Sequence, residues 1–256
     1  MWYNQGVEDR IILIDKPAGM SSFGVVARVR RGLRDEFGHK VKVGHTGTLD
    51  PFATGLLILL SGRYTKKSGE FLKLDKVYEA TIKLGFVSST GDIEGEISPY
   101  SVESCPEEGI RECLVEGIPE AAAEDKRPSP VKTGARDAAP KLNILESTLQ
   151  TFIGEILQKP PKFSAIKING QRAYKLARAG KDFEVPTRKV TIYNIEILEY
   201  NYPILKIRCH VSSGTYIRTL AEDIGEKLGT GAYCEALRRL KIGEYDVKDA
   251  EKLPKM

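Results

Sequence analysis

The most informative stretch of this chain is GHTGTLDPFATGLLILL, which covers residues 44–60. Its first half is a glycine-rich loop, and glycine lets a backbone turn tightly or lets a ligand approach it closely. Its second half, residues 56–60, is a short apolar run that predicts a buried strand. Asp50 lies between the halves, and the proline that follows it keeps its backbone extended rather than helical. The stretch therefore predicts a loop that presents one carboxylate just before a buried strand.

Patterns on either side of this stretch predict further strands. Residues 11–15 are typical of a short buried strand that ends in a turn. Apolar and polar residues alternate over 78–84 and again over 205–211, which predicts two half-buried strands. Residues 163–168, followed by Asn169-Gly170, predict a strand that ends in a tight turn.

Three helices are predicted between and after these strands. The first begins at Ser21 or Ser22, and one of its faces holds Phe23, Val26, Val29 and Leu33. The second covers residues 173–179. The third is capped by Thr215 and has an apolar stripe of Ile217, Leu220, Ile224 and Leu228. Because strands and helices mix without a regular βαβ repeat, we expect an α+β fold with a mixed, largely antiparallel central sheet flanked by helices and loops.

Composition excludes several classes of protein. The chain has 256 residues, of which 41% are hydrophobic and 29% charged, as in an ordinary globular protein rather than a disordered one. The apolar run at 56–60 is far shorter than the roughly 18 residues of a membrane helix, and no signal sequence is recognisable. Four cysteines without a CxxC pair and three histidines argue against a zinc site. We expect no metal, no membrane and a cytoplasmic location.

Charge is distributed unevenly along the chain. The formal net charge is +4, but residues 91–125 contain 11 acidic residues and one basic residue. The rest of the chain is therefore strongly basic, which favours a polyanionic partner such as nucleic acid, although lysines also simply solubilise surfaces. Residues 103–140 hold five prolines and little periodicity. They predict an acidic, Pro-rich insertion with one weak helix at 107–116.

Three side chains are candidates for chemistry before any resemblance is considered. Asp50 could serve as a nucleophile or base, or could simply belong to an Asp-Pro turn. Arg218 would occupy the third position of a helix capped by Thr215, where a cation opposes the helix dipole and calls for a compensating anion. His45 could act as an acid or base, stack on a base, or be an exposed loop residue. Tyr78 and Leu237 are assigned to the core by default.

Five motifs, in this order, resemble the TruB family of tRNA pseudouridine synthases. They are LIDKPAGMSSF (13–23), GHTGTLDPFATGLL (44–57), YEATIKLG with STGDIEG (78–95), PPKFSAIKINGQRAYKLARAG (160–180) and SSGTYIRTLAEDIGEKLGTGAYCEALRRL (212–240). The resemblance implies the pseudouridine synthase fold over 1–256 as a single catalytic domain, with the 103–140 insertion inside it. The C-terminal RNA-binding domain that many members carry is expected to be absent, because few residues follow the last motif.

The resemblance also implies a reaction and its residues. Such enzymes isomerise uridine 55 in the tRNA T loop to pseudouridine without a cofactor, and Asp50 matches the catalytic aspartate. The substrate-binding residues are then expected to be His45, Tyr78, Asp92, Tyr216, Arg218 and Leu237. Tyr78 would stack on the uracil, Arg218 would pair with Asp50, and His45 would fill the space that the flipped base leaves.

The expected partner is the T-arm stem-loop of tRNA, bound by a monomer without an obligatory protein partner. Two alternatives remain open at this stage. One is an RNA-folding module that opens and releases the T loop without catalysis. The other is a guide-RNA-dependent relative of the dyskerin type, which acts inside a protein–RNA complex.

Overall fold

The computed structural model describes residues 8–101, 139–168 and 170–253. The strands are β1 (Ile11–Lys16), β2 (Val43–His45), β3 (Thr54–Ser61), β4 (Lys76–Leu84), β5 (Phe86–Ser88), β6 (Ile97–Pro99), β7 (Gly154–Gln158), β8 (Lys167–Ile168), β9 (Gln171–Arg172), β10 (Arg188–Asn201), β11 (Ile204–Val211), β12 (Ala232–Ile242), β13 (Tyr245–Asp246) and β14 (Glu251–Lys252). The α-helices are α1 (Ser22–Phe37), α2 (Ser68–Leu72), α3 (Leu142–Gln150), α4 (Ala173–Arg178) and α5 (Ile217–Lys227), and short 3-10 helices cover Gly62–Lys67 and Val247–Asp249.

One large sheet organises the described residues. Its strands follow the order β14-β1-β3-β12-β4-β11-β10-β7, with β2 paired to β3 and β13 paired to β12. Two pairings are parallel, β1 with β14 and β3 with β12, and the others are antiparallel. The expected α+β class with a mixed, largely antiparallel sheet is therefore confirmed.

Strand β3 explains why the run after Asp50 is continuously apolar. Leu57 and Leu59 pack with α1 and β1 on one face of the sheet. Leu56, Ile58 and Leu60 pack with Phe71 and Ile242 on the other face. A strand that is covered on both faces needs no polar alternation.

Helix α1 leads directly out of the turn that follows β1. The Ser21 hydroxyl accepts a hydrogen bond from the Gly24 amide, which caps the helix, and Gly38 ends it with a φ of 72°. Its buried residues are Ser22, Val25, Val26, Val29 and Leu33. Phe23 is 67% exposed, so its assignment to the buried face was wrong. Val25 takes that place because it lies one turn before Val29.

Helix α5 packs Ile217, Leu220 and Ile224 against the larger core cluster, which also contains the inward residues of β4 and β11. The predicted strands at 78–84 and 205–211 are confirmed by the alternating burial of β4 and β11. The predicted cap was wrong by one residue, because the N-cap position is Tyr216. The Thr215 hydroxyl donates instead to the Ser212 carbonyl oxygen at 3.0 Å.

Residues 160–180 form less strand than expected. Of the predicted strand at 163–168, only Lys167–Ile168 is strand; it pairs with Gln171–Arg172 in a separate two-stranded ribbon, and α4 follows as predicted. The predicted helix at 107–116 lies outside the described residues. No helix in the described part of the chain is long and apolar enough to cross a membrane.

Candidate active site

The loop that carries Asp50 is fixed to the start of α1. The Ser22 hydroxyl accepts from the Leu49 amide and donates to the Leu49 carbonyl oxygen, both at 2.8 Å. The Gly19 amide donates to the Pro51 carbonyl oxygen at 2.8 Å. Since both neighbours of Asp50 are held by the 17–22 segment, Leu49 by the Ser22 side chain and Pro51 by the Gly19 backbone, the carboxylate is presented from a rigid turn.

Arg218 approaches this carboxylate from the first turn of α5. Its Nε lies 3.1 Å from Asp50 Oδ2, and its Nη1 lies 2.8 Å from Asp92 Oδ2. Further hydrogen bonds from Nη1 and Nη2 reach the carbonyl oxygens of Thr90, at 3.0 Å, and Phe163, at 2.9 Å. The guanidinium is thus held by three separate segments. The sequence predicts one compensating anion beside Arg218, and the structure has two, Asp50 and Asp92.

The two carboxylates beside Arg218 differ in exposure. The Asp92 side chain is 4% exposed, whereas that of Asp50 is 31% exposed. Asp92 also accepts from the Thr90 hydroxyl at 2.7 Å and from the Glu94 amide at 3.0 Å. Asp92 is therefore built into the structure, while Asp50 keeps an open side toward a ligand.

Opposing influences act on the Asp50 carboxyl group. Burial raises its pKa above the ordinary 3.8, and the Arg218 guanidinium is the strongest of the charges that pull the pKa back down. Asp92 adds to the increase, and the cations of Lys16 and Arg239 oppose it. A carboxylate with a raised pKa and an adjacent cation can act as a base or as a nucleophile.

Two buried cations that the sequence analysis did not single out support the loop. The Lys16 ammonium donates to the carbonyl oxygens of Pro17, Met20 and Pro51, at 2.9, 2.7 and 3.1 Å. Burial lowers the pKa of Lys16 to about 8. Lys16 therefore closes the turn after β1 against the residue that follows Asp50.

Arg239, in β12, supports the other end of the loop. Its Nε donates to the Leu56 carbonyl oxygen at 2.8 Å and its Nη2 donates to that of Gly47 at 3.1 Å. Gly55 passes against the backbone of Arg239 with a φ of 98°, so closely that a Cβ there would lie 2.3 Å from the Arg239 carbonyl oxygen. The glycine is needed both for its backbone angle and for this contact.

A cavity of about 390 Å³ opens beside Asp50. Its walls are the start of α1 at residues 21–23, the loop at 48–51 with His45, and the segment at 163–165 with Arg172 and Tyr174. Its volume falls within the range of small-molecule sites. Of the predicted site residues, His45 and Asp50 line it.

His45 is fixed as a neutral ring. Its Nδ1 accepts from the Gly47 amide at 3.3 Å, so the proton of the neutral form lies on Nε2. Burial, followed by the charges of Arg239 and Arg172, lowers its pKa below 6.5. An uncharged ring at the cavity wall suits stacking better than ion pairing.

Tyr78 and Leu237 lie behind the loop. Each is 8% exposed, and both belong to the hydrophobic cluster that contains Leu49. The structure thus confirms their default placement in the core and joins them to the residue that precedes Asp50. They do not line the cavity described above.

Tyr216 is held through its backbone. Its amide donates to Gln158 Oε1 at 2.7 Å, and Gln158 Nε2 donates to its carbonyl oxygen at 3.0 Å. The guanidinium of Arg188 lies over its ring, 4.7 Å from the centroid. Gln158 and Arg188 were not predicted, because their contacts join residues far apart in sequence.

The fold and site define an enzyme-like centre, with one partly open carboxylate paired to a buried arginine at the mouth of a cavity. Among the described residues, no three His, Cys, Asp or Glu side chains come together as a group that could hold a metal ion. The groups that could take part in a reaction here are a carboxylate and the polar and aromatic side chains around it.

Comparison with known proteins gives this centre a family. A model described as the N-terminal domain of TruB family pseudouridylate synthase matches residues 34–133 and 119–217, and a model of the tRNA pseudouridylate synthase B C-terminal domain matches residues 218–255. The chain belongs to the TruB family of pseudouridylate synthases, and it is an isomerase.

Relatives match nearly the whole chain. The tRNA pseudouridine synthase B of Endomicrobium trichonymphae is 39% identical over 242 residues, covering 94% of this chain and 88% of that protein. That of Flavobacterium johnsoniae is 39% identical over 246 residues, covering 95% and 93%. A solved Cbf5-Nop10-Gar1 complex contains a chain with a TM-score of 0.60 and 26% identity. The match covers 96% of this chain and 52% of that one, so this chain spans about half the length of the solved relative.

Proposed function

We propose that this enzyme converts uridine 55 in the T loop of tRNA to pseudouridine, with Asp50 as the catalytic residue. The observation that carries the proposal is the Arg218 Nε at 3.1 Å from Asp50 Oδ2, beside a cavity, in a chain of the TruB family. The tRNA substrate is supported by relatives that are named tRNA pseudouridine synthase B. The T loop and position 55 come from the resemblance of the sequence motifs.

The reaction needs no group from outside the protein and its substrate. The N1–C1′ bond of uridine breaks, the uracil turns while it is held, and a C5–C1′ bond forms. C5 loses a proton and N1 gains one, so the product is an isomer of the substrate. Asp50 can contribute by attacking C1′ or by removing the proton from C2′, and both routes require its ionised form. Arg218 supplies the charge that favours this form.

Water must be kept away from the separated uracil and sugar, because it would complete a hydrolysis. Apolar residues on both sides of Asp50 serve this purpose. Leu49 joins Tyr78 and Leu237 in one cluster behind the loop, and Phe163 forms part of the cavity wall. We propose that Tyr78 stacks on the uracil and that Leu237 and Tyr216 close the pocket around it, which requires the base to pass beyond the cavity described above and reach the cluster that contains Leu49.

The target base reaches Asp50 only if it leaves the stack of the T loop. We propose that the nucleotide flips out and that the neutral ring of His45 occupies the space left behind. Unstacking costs a few kcal/mol, and stacking on an aromatic side chain returns about 1–3 kcal/mol. Asp92 acts indirectly, because it orients the guanidinium of Arg218.

Basic side chains on α1 and at the cavity would bind phosphates of the T arm. Helix α1 carries Arg28, Arg30, Arg31 and Arg34, and Arg172 lines the cavity itself. Phosphate contacts position an RNA and make its affinity depend on salt. We further propose that the protein acts in the cytoplasm as a monomer, without an obligatory protein partner.

A direct test incubates the purified protein with an unmodified T-arm stem-loop and maps pseudouridine by chemical labelling. Product at the position equivalent to 55 is expected from the protein alone. Asp50→Asn should abolish product and leave RNA affinity within a few-fold of the wild type, because the shape of the side chain is kept. Asp75→Asn changes an exposed carboxylate away from the cavity and should be fully active. Substantial turnover by Asp50→Asn would refute the assignment.

His45→Ala separates flipping from binding in the same assay. Loss of the ring should slow turnover more than it weakens RNA binding, because the ring is needed only once the base has left its place. Product formation at the wild-type rate would remove His45 from the flipping step. RNA binding without any product from the wild-type protein would favour the non-catalytic folding role instead.

A further inference from the structure

Ser164 contains a buried hydroxyl group that the fold leaves unused. The residue is 5% exposed, and its Oγ is covered and has no hydrogen-bond partner among the residues that the structure describes. Buried hydroxyl groups are nearly always paired, because a lone one loses its hydration without compensation. Ser164 lines the same cavity as Asp50. The Oγ itself is covered, so a rotation of the Ser164 side chain would be needed to bring the hydroxyl to whatever fills that cavity.

The backbone on both sides of Ser164 is held by hydrogen bonds, so the hydroxyl can reach a partner only by rotation of the side chain. The preceding carbonyl oxygen, of Phe163, accepts from Arg218 Nη2 at 2.9 Å. The carbonyl oxygen of Ser164 itself accepts from the Tyr174 amide at 3.0 Å. Arg218 therefore connects the backbone next to Ser164 with the Asp50 carboxylate, and this fixes the position of residue 164 relative to Asp50.

We infer that the Ser164 hydroxyl hydrogen-bonds the nucleotide held at Asp50 and is a further substrate-binding residue of this site. The partner is the ribose or the phosphate attached to it, because Asp50 must meet the ribose in either route and Ser164 belongs to the wall of the same cavity. A hydroxyl suits this role, since it can donate to a phosphate oxygen or accept from a ribose hydroxyl. This inference rests on the proposed function.

The inference predicts that loss of the Ser164 hydroxyl lowers activity without lowering stability. Ser164→Ala removes a buried polar atom that makes no intramolecular bond, so the melting temperature should stay the same or rise. The same change should lower kcat/KM on the T-arm stem-loop roughly tenfold, the value of one hydrogen bond. Ser164→Cys keeps nearly the same volume but is a weak donor and acceptor, and it should match the alanine variant.

Ser61→Ala is the matched control. Ser61 is also a fully buried serine, but its Oγ accepts from the Arg10 amide at 3.0 Å and donates to the Glu8 carbonyl oxygen. Its loss should lower the melting temperature and leave kcat/KM unchanged at a temperature where the variant is folded. The two serines thus separate a structural hydroxyl from one reserved for a ligand.

Binding is measured separately from turnover, so that failure of the inference differs from failure of the proposed function. In the Asp50→Asn background, Ser164→Ala should weaken the affinity for the stem-loop several-fold in fluorescence anisotropy. Wild-type kinetics and affinity in the Ser164 variants would overturn the inference, as would a loss of melting temperature equal to that of Ser61→Ala. Absence of product from the wild-type protein would instead refute the proposed function.

Discussion

Replacing Arg218 by methionine is expected to destabilise the protein by about 3–5 kcal/mol at neutral pH. Methionine has a similar length but no charge, so the change leaves Asp50 and Asp92 as neighbouring carboxylates without the guanidinium between them. Three hydrogen bonds are lost at the same time, to Asp92 Oδ2 and to the carbonyl oxygens of Thr90 and Phe163. Because a domain is stable by only about 5–15 kcal/mol, this is a large part of the total.

The loss of stability in Arg218→Met should be larger at high pH than at low pH. Burial already raises the pKa of Asp50 in the folded protein, and Arg218 is the main charge that limits the increase. Without Arg218 the folded-state pKa rises further above the ordinary 3.8. An acid with a raised folded pKa destabilises the fold above that pKa, and the penalty fades as pH falls through it toward the unfolded value. The difference between wild type and Arg218→Met should therefore be largest near pH 8 and smaller at pH 5.

Urea unfolding followed by far-ultraviolet circular dichroism at pH 8 and pH 5 measures the loss of unfolding free energy and its dependence on pH. Arg63→Met is the control, because it removes an arginine–aspartate pair at the surface. Arg63 Nε lies 2.6 Å from Asp9 Oδ2, with the arginine side chain 89% exposed. The Asp9 carboxylate keeps its hydrogen bond from the backbone amide of residue 63 after the change, and the lost guanidinium was exposed to water, so the effect should be much smaller. A loss below about 1 kcal/mol for Arg218→Met at pH 8, or an equal loss at both pH values, would contradict the reasoning.

Three further predictions concern the surroundings of Asp50. Gly55→Ala should lower the free energy of unfolding, measured with urea, by about 3 kcal/mol, because the φ of residue 55 is 98° and the new Cβ would lie 2.3 Å from the Arg239 carbonyl oxygen. An unchanged free energy of unfolding would mean that β3 and β12 separate easily. Phe23→Ala should weaken binding of the T-arm stem-loop at least fivefold without lowering the melting temperature, and Phe23→Trp should restore it, because a ring that is 67% exposed at the cavity wall is free to stack on a base. Equal affinity of all three proteins would exclude that stacking. Burial lowers the pKa of Lys16 to about 8, from 10.5, so between these pH values the unfolded chain binds more protons than the folded protein. The stability of the wild type relative to Lys16→Met should therefore increase as pH rises from 8 to 10.5. A constant difference in stability would show that the ammonium is not desolvated.

The sequence predicts strands well where apolar and polar residues alternate regularly along the strand, and it fails where this alternation is interrupted. Strands β4 and β11 keep a strict period of two. Neither β10 nor β12 is predicted, although they have 14 and 11 residues. Both contain register shifts, such as those between Cys234 and Ala236 in β12. A bulge moves the following side chains to the opposite face, so the period that identifies a strand is lost.

The candidate site is predictable in part for a similar reason. Asp50 and Arg218 stand out locally, one in a glycine-rich loop before proline and the other as a cation at a helix start. Lys16 and Arg239 do not, because the contacts that connect them to the loop, with Pro51 and Gly47, join residues 35 and 192 positions apart in the chain. Ser164 is informative only through a missing partner, which no sequence pattern can reveal. Residues that build the site are found by motif, while residues that support it require the fold.

The geometry around Arg218 separates two tasks that one ion pair would perform poorly. Its Nη1 donates a directed hydrogen bond to Asp92, whereas its Nε lies near Asp50 Oδ2 without the alignment of a hydrogen bond. Asp92 thus fixes the orientation of the guanidinium, and Asp50 receives mainly its charge. A carboxylate that must attack carbon or take a proton needs its lone pairs free, yet it must stay ionised in a partly buried position. An undirected neighbouring charge meets both requirements, because it favours the anion without occupying the oxygen that reacts.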